Sequence, residues 1–202
     1  MSMIENAKVI AGVVTFLFSI TVYGQGNKPI TEYLNVPGPI ILNKDSFKLT
    51  WSSHPSSNYY KQEYIGSKDK IEKFKKMVMV EVLTGEVKAA DLAKAKVSEL
   101  KQLKETNPLV NHEVFQKNGE IIVDFLLSEN SPDGKKVNII ERNVYRYKEI
   151  TDKNGKKGVM LFGISERGYG NEVDAFLSSL KKNKSALTNA VAAFVMPEIT
   201  IK

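Results

Sequence analysis

Any enzymatic chemistry in this chain would centre on residues 51–64, its densest polar and aromatic stretch. The stretch holds the only tryptophan, Trp51, and one of the two histidines, His54. A hydrolase would need a serine within hydrogen-bond reach of His54 and a carboxylate to orient the imidazole ring. Glu63 can supply the carboxylate, and the candidate nucleophiles are Ser52, Ser53, Ser56 and Ser57. No Gly-x-Ser-x-Gly elbow is present, so hydrolysis through His54 is the alternative function rather than the leading one.

The same stretch is also typical of a recognition surface, because tyrosine and tryptophan combine a large contact area with a polar tip. In a strand, the side chains of residues 59, 61 and 63 would lie on one face and those of residues 60, 62 and 64 on the other. The pattern favours a structural hairpin with half-buried aromatic side chains. A loop that binds a ligand or partner around His54 is the second interpretation. The candidate binding residues in the stretch are Trp51, His54, Asn58, Tyr59, Tyr60 and Glu63.

Two arginines, Arg142 and Arg146, complete the set of candidate binding residues. They are four positions apart in a predicted strand, so both side chains should lie on the same face. That face either contacts solvent or holds an acidic partner, and the sequence leaves the two readings open.

Metal and cofactor sites have little support in the sequence. His112 and Glu113 are adjacent in a predicted strand, so their side chains should lie on opposite faces and cannot share an ion. The chain has no cysteine, which excludes disulfides, zinc–thiolate sites, iron–sulfur clusters and cysteine nucleophiles. The sequence therefore predicts no metal and no cofactor.

The 202 residues carry a net charge of +6, and nearly all of the positive charge is lysine. Proteins that read nucleic acids rely on arginine for bidentate contacts with bases and phosphates, and here the lysines are interspersed with acidic residues. The composition is that of a soluble globular protein. We therefore expect no nucleic-acid partner, and the partner is an unidentified protein or small ligand.

The first 24 residues read as a secretory signal peptide. A short charged start precedes the apolar run at residues 9–23, and the small residue Gly24 lies at the exit. The run is shorter than the roughly 20 residues that a membrane-spanning helix needs. Cleavage is therefore expected between Gly24 and Gln25, which predicts an exported protein, periplasmic or secreted, from a bacterial source. The alternative is an uncleaved anchor, and only in that case would the protein contact a membrane.

The remaining chain divides into an extended lead-in over residues 25–45 and a single α+β domain over residues 46–202. The lead-in is rich in proline, glycine and asparagine. Residues 47–65 predict a hairpin, and the spacing of Asp69 and Glu72 predicts a helix that continues through Phe74. Residues 77–83 fit either a strand or a helix, and residues 89–105 predict a helix with one apolar face.

Four strands joined by tight turns are predicted between residues 110 and 166. Asn118-Gly119 is the strongest of the turn signals, because both residues accept a positive φ. A helix, or two helices, should follow over residues 171–195. The fold class is thus α+β, with a twisted antiparallel sheet (an N-terminal hairpin plus a four-stranded meander) and helices packed on one face. This order of elements resembles that of PsbP-type domains, which implies a similar fold. The function expected from the sequence is that of an exported, non-enzymatic binding protein.

Overall fold

A computed structural model describes residues 30–202, so the predicted signal peptide and the first residues of the lead-in lie outside the described part. Eight strands form one antiparallel sheet in the order β1-β2-β3-β4-β8-β7-β6-β5. The strands are β1 (Ile40–Leu42), β2 (Asp45–Ser56), β3 (Tyr59–Ile65), β4 (Lys76–Thr84), β5 (Asn111–Lys117), β6 (Glu120–Asn130), β7 (Val137–Thr151) and β8 (Lys157–Tyr169). The sheet-dominated α+β class is therefore confirmed.

Within the described residues, helices occupy two positions. The first, α1 (Ala89–Thr106), connects β4 to β5, and α2 (Val173–Lys182) and α3 (Lys184–Ala193) follow β8 after a short 3₁₀ turn. The helical segment predicted over residues 171–195 is thus two helices, separated at Asn183. Within residues 30–202, no helix combines the length and the apolar character needed to cross a membrane.

The sheet is covered by helices on both faces, and the expectation that they pack on one face is wrong. Val78, Val80 and Val82 of β4 belong to the same buried cluster as Leu187 and Val191 of α3. The intervening Met77, Met79 and Leu83 belong to a second buried cluster, which includes Leu92 and Leu100 of α1. Because β4 is apolar at successive positions, both of its faces have to be buried. We call the two faces the α1 face and the α3 face.

The helix predicted from Asp69 is also wrong, because residues 66–75 form turns. The Asp69 carboxylate accepts a hydrogen bond from the backbone N–H of Lys75, six residues further on, instead of capping a helical turn. Phe74 is buried at the end of the sheet, in the cluster on the α1 face. The ambiguous residues 77–83 lie within strand β4.

The four strands predicted between residues 110 and 166 correspond to β5–β8, which pair in chain order. Asn118 and Gly119 join β5 to β6 with φ angles of 53° and 77°, the positive values that this turn requires. The predicted hairpin at residues 47–65 corresponds to β2 and β3, which are also paired. Strand β1 lies inside the predicted extended lead-in and pairs with β2.

A buried glutamine attaches the segment before β1 to the sheet. Gln62 of β3 accepts hydrogen bonds on Oε1 from the backbone N–H groups of Tyr33 and Leu34, at 2.7 and 3.1 Å. Its Nε2 donates to the carbonyl of Val36 at 3.3 Å. The C-terminal residues then contact the same segment, since the N–H of Thr200 donates to the carbonyl of Leu34 at 3.1 Å.

Candidate binding site

His54 lies on the exposed end of β2, where its ring stacks on that of Tyr60 with centroids 4.2 Å apart. Its Nδ1 is 3.0 Å from the backbone carbonyl of Tyr59. Within residues 30–202, His54 makes no hydrogen bond to a serine or a carboxylate. Ser56 instead donates to the side-chain oxygen of Asn58 at 2.9 Å. The nucleophile–base–acid arrangement of a hydrolase is therefore not assembled among the described contacts of His54.

The other candidate residues of the hairpin are divided between the two faces of the sheet. Tyr60 is buried in the cluster on the α3 face. On the α1 face, Tyr59 donates its hydroxyl to Glu81 Oε2 at 2.7 Å, and Lys61 Nζ lies 2.8 Å from Glu63 Oε1. The half-buried Trp51 ring lies beneath Lys61, with Nζ 5.8 Å from its centroid. The aromatic residues therefore do not form a single recognition surface, and most of their contacts are structural.

The electrostatics of this hairpin also fit a structural role. Burial alone would lower the pKa of Lys61, but Glu81 and Glu63 outweigh it and raise the pKa above its usual value. Burial, with Glu81 as the next contribution, likewise raises the pKa of the Tyr59 hydroxyl. Lys61 is thus a cation and Tyr59 a neutral hydrogen-bond donor, and both are satisfied by carboxylates of the same sheet.

Arg142 and Arg146 do lie on the same face of β7, and both are engaged by the chain itself. The Arg142 side chain is 5 % exposed, and its Nε and Nη2 donate to Asp124 Oδ1 and Oδ2 at 3.0 and 2.6 Å. It also donates to the backbone carbonyl of Lys184. Arg146 pairs with Glu120 and donates to the carbonyls of Val191 and Phe194 at 2.9 and 2.8 Å.

These hydrogen bonds give the two arginines a structural role. Arg146 satisfies carbonyls at the C-terminal end of α3, where backbone acceptors have no partner within the helix and a positive charge is favourable. Arg142 holds the start of α3 through the Lys184 carbonyl. The acidic partner that the sequence left open is therefore intramolecular, and the two side chains fix α3 against the sheet.

Beside these arginines, an open pocket of about 830 Å³ lies between the β5–β6 hairpin and the α2–α3 segment. We call it the β5–α3 pocket. Its apolar lining comes from Phe115, Ile122 and Ala192, and Asp124 and Arg146 contribute charged groups to its floor. The remaining lining residues are polar or charged: Glu113, Gln116, Lys117, Asn118, Glu120, Lys181, Lys182, Lys184, Ser185, Thr188 and Asn189.

The strand and helix register explains which side chains reach the pocket. In the pairing of β5 with β6, Glu113, Phe115 and Lys117 lie opposite Asp124, Ile122 and Glu120. Because alternate residues of a strand share a face, all six are directed to the α3 face. His112 pairs with Phe125 and is directed to the α1 face, so His112 and Glu113 lie on opposite faces.

The charged side chains on the floor of the pocket neutralise one another, whereas the rim carries an excess of lysine. Asp124 is neutralised by Arg142, and its Oδ2 also accepts from the Thr188 hydroxyl at 2.6 Å. Burial alone would raise the pKa of Glu120, but its hydrogen bonds with Arg146 and Lys148 outweigh it and lower the pKa below its usual value. At the mouth, Lys184 of α3 forms an ion pair with Glu113 of β5.

Three more lysines on the rim are free to attract a ligand. Lys117, Lys181 and Lys182 are exposed and form no ion pair with any residue in the described range 30–202. The pocket lining contains no histidine, cysteine or tyrosine, and the Thr188 hydroxyl already donates to Asp124. The arrangement is suited to holding an anion beside an apolar surface.

A protein-family model matches residues 34–196. The chain belongs to that family. The matched range takes in the eight strands and three helices described above and every residue of the β5–α3 pocket. No curated protein and no solved structure matches the chain.

Of the residues around this pocket, sequence reasoning identified only Arg146 and, beneath the floor, Arg142. Two signals were present in the sequence: Phe115 and Lys117 share a strand face, and three of the four residues 181–184 are lysine. Neither signal shows that the two segments meet, because β5 and α3 are more than 60 residues apart in the chain.

Proposed function

We propose that the protein is an exported, non-enzymatic binding protein, periplasmic or secreted, and that it holds an anionic ligand with an apolar portion in the β5–α3 pocket. The observation that carries the proposal is the set of three unpaired rim lysines, Lys117, Lys181 and Lys182, beside the apolar side chains of Phe115 and Ile122. A negative group would contact the lysines while the apolar portion covers the exposed Phe115 ring.

The size and the lining of the pocket support a binding role. Ligand pockets usually measure about 300–1,000 Å³ and combine an apolar lining with a few placed polar groups. The ion pairs on the floor keep their own charges satisfied, so a ligand does not have to neutralise Asp124 or Glu120. The positive rim adds long-range attraction for anions, in a chain whose net charge is +6.

Export is the part of the proposal that rests on the sequence alone. The apolar run at residues 9–23 followed by Gly24 is the feature that supports it. If the leader is retained, the same domain would work at a membrane surface.

The direct test uses anilinonaphthalene sulfonate, an anionic apolar fluorophore, with the purified protein. Saturable fluorescence enhancement that laurate displaces, and that dodecylammonium does not, is the expected result. The double variant Lys181→Glu/Lys182→Glu should weaken binding by about tenfold or more, because each lost or reversed close charge contributes on the order of 1 kcal/mol at a partly exposed site.

The matched control is Lys94→Glu, which reverses an exposed lysine on α1, on the opposite face of the sheet. It should leave the affinity unchanged. Equal displacement by laurate and dodecylammonium, or an equal loss of affinity in both variants, would overturn the assignment of an anion-binding pocket.

A further inference from the structure

Strand β5 is the outer strand of the sheet at the end next to the pocket. It pairs with β6 along one edge, and no strand within residues 30–202 pairs with its other edge. Its central residues Val114 and Phe115 are 49 % and 45 % exposed, although both are large and apolar. Because Val114 lies opposite Val123 and Phe115 opposite Ile122, the two side chains project from opposite faces of the same exposed strand.

The two outer strands of the sheet, β1 and β5, differ in length. At the far edge, β1 has three residues, and short edge strands are one device by which proteins avoid pairing with other chains. β5 has seven residues and exposes a continuous row of backbone donors and acceptors. An edge of this length with apolar residues at its centre is a template for a further strand.

We infer that a second copy of this chain pairs with β5, antiparallel and about a twofold axis that passes through Phe115. In this register Phe115 lies opposite Phe115 of the partner subunit, and Glu113 lies opposite Lys117 of the partner subunit. The symmetry produces the Glu113–Lys117 pair twice, once on each side of the axis. The two sheets then continue into one another.

Charge complementarity selects this register over its neighbours. An axis through Val114 would place Glu113 opposite Phe115, and an axis through Glu113 would place two like charges opposite each other. Opposite charges and paired aromatic rings directly across a strand pair are favourable, and like charges are unfavourable. Only the axis through Phe115 brings both apolar rings and both ion pairs into register on the α3 face.

The dimer also changes the β5–α3 pocket, which is lined in part by β5. Glu113, Phe115 and Lys117 are lining residues, and in the dimer the corresponding residues of the second copy extend the same face beyond the edge. The inference rests on strand exposure and on charge register, not on the proposed ligand. In the dimer Glu113 keeps Lys184 as a neighbour within its own chain and gains Lys117 of the partner subunit. The contacts of the rim with an anion then come from Lys181 and Lys182.

The test is cross-linking through a single introduced cysteine, since the chain has none of its own. Facing residues of an antiparallel pair have Cα atoms roughly 4.5–5.5 Å apart, within the range of about 4.4–6.8 Å that a disulfide spans. Phe115→Cys should therefore form a disulfide-linked dimer under mild oxidation. Val114→Cys is the control, because its two copies would be diagonal neighbours about 7–8 Å apart. Its disulfide should form at least about tenfold more slowly than that of Phe115→Cys.

Sedimentation of the unmodified protein over a range of concentrations completes the test, and a dimer is the expected species. Glu113→Lys or Lys117→Glu alone should shift the equilibrium about tenfold towards monomer, and the double exchange should restore it. A monomer at every concentration, with no disulfide in Phe115→Cys, would overturn the inference. Cross-linking of Val114→Cys as fast as that of Phe115→Cys would overturn the register. Circular dichroism of each variant establishes that it is folded.

Discussion

Arg142 and Asp124 form a two-bond ion pair beneath the floor of the β5–α3 pocket, with Nε 3.0 Å from Oδ1 and Nη2 2.6 Å from Oδ2. Both residues are buried, and the same guanidinium donates to the Lys184 carbonyl at the start of α3. The pair therefore links β6, β7 and α3, and it fixes the helix that forms one wall of the pocket.

Asp124→Asn should lower the free energy of unfolding by about 3–5 kcal/mol, because it leaves the buried Arg142 charge without its counter-charge. Urea denaturation monitored by circular dichroism measures the change. Glu129→Gln, an exposed substitution on the same strand, is the matched control and should change the stability by less than about 0.5 kcal/mol. Similar stabilities for the two variants would show that the ion pair does not hold α3 in place.

The free energy of unfolding should decrease in acid, in part because Glu120 becomes protonated. Its pKa in the folded protein is lowered below the usual 4.5, so the unfolded state binds the proton more readily. The stabilisation is therefore complete above about pH 4.5 and is lost as the pH falls through the folded pKa. In urea titrations at stepped pH, Glu120→Gln should show a shallower loss of stability below this point than the unmodified protein. An unchanged slope would contradict the assignment.

Gly158→Ala should be more destabilising than Gly163→Ala. A Cβ at Gly158 would lie 2.4 Å from the backbone oxygen of Leu83 and 2.9 Å from Thr84 Cα, so the strand backbone itself would have to move. At Gly163 the nearest atoms are the side chains of Tyr145 and Met79, at 2.9 and 3.0 Å, which can adjust. Overpacking of this kind costs roughly 1–3 kcal/mol. Thermal unfolding of the two variants compares them, and a smaller loss for Gly158→Ala would contradict the expectation.

The natively expressed protein should begin at Gln25. Intact mass spectrometry of the envelope or medium fraction checks this, because removal of residues 1–24 leaves a species of defined lower mass. A full-length species in the membrane pellet would rule out cleavage and would favour the retained-anchor alternative. The proposed role of the β5–α3 pocket would then have to be tested on membrane-bound protein.

Local patterns predicted much of the sheet. The positive φ that Asn118 and Gly119 accept specifies a tight turn, and the alternating residues on either side specify the two strands that it joins. Helix α1 was predictable for a similar reason, since its apolar residues recur at helical spacing over residues 89–105. Each of these signals is complete within about 20 residues of chain, so no knowledge of distant segments is needed to interpret it.

The predictions that failed are those in which tertiary packing overrides the local pattern. Asp69 and Glu72 have the spacing of a capping box, but the Asp69 carboxylate binds the Lys75 backbone instead, and Phe74 packs into the cluster on the α1 face. Residues 77–83 fit either a strand or a helix in the sequence, because their β-branched side chains favour a strand while the helix predicted from Asp69 can continue into them. The tertiary structure places them in strand β4, and each face of that strand is covered by a different helix.

The sequence by itself therefore determined the class of the fold, the meander and the shared face of Arg142 and Arg146. Only the tertiary structure decided that these arginines bind Asp124, Glu120 and the carbonyls of α3, and that the lysines of residues 181–184 face Phe115 across a pocket. Periodicity depends on backbone geometry within one element, so it can be read locally. The contact between β5 and α3 depends on how the chain between them packs. That packing in turn depends on burying the apolar side chains of both faces of the sheet.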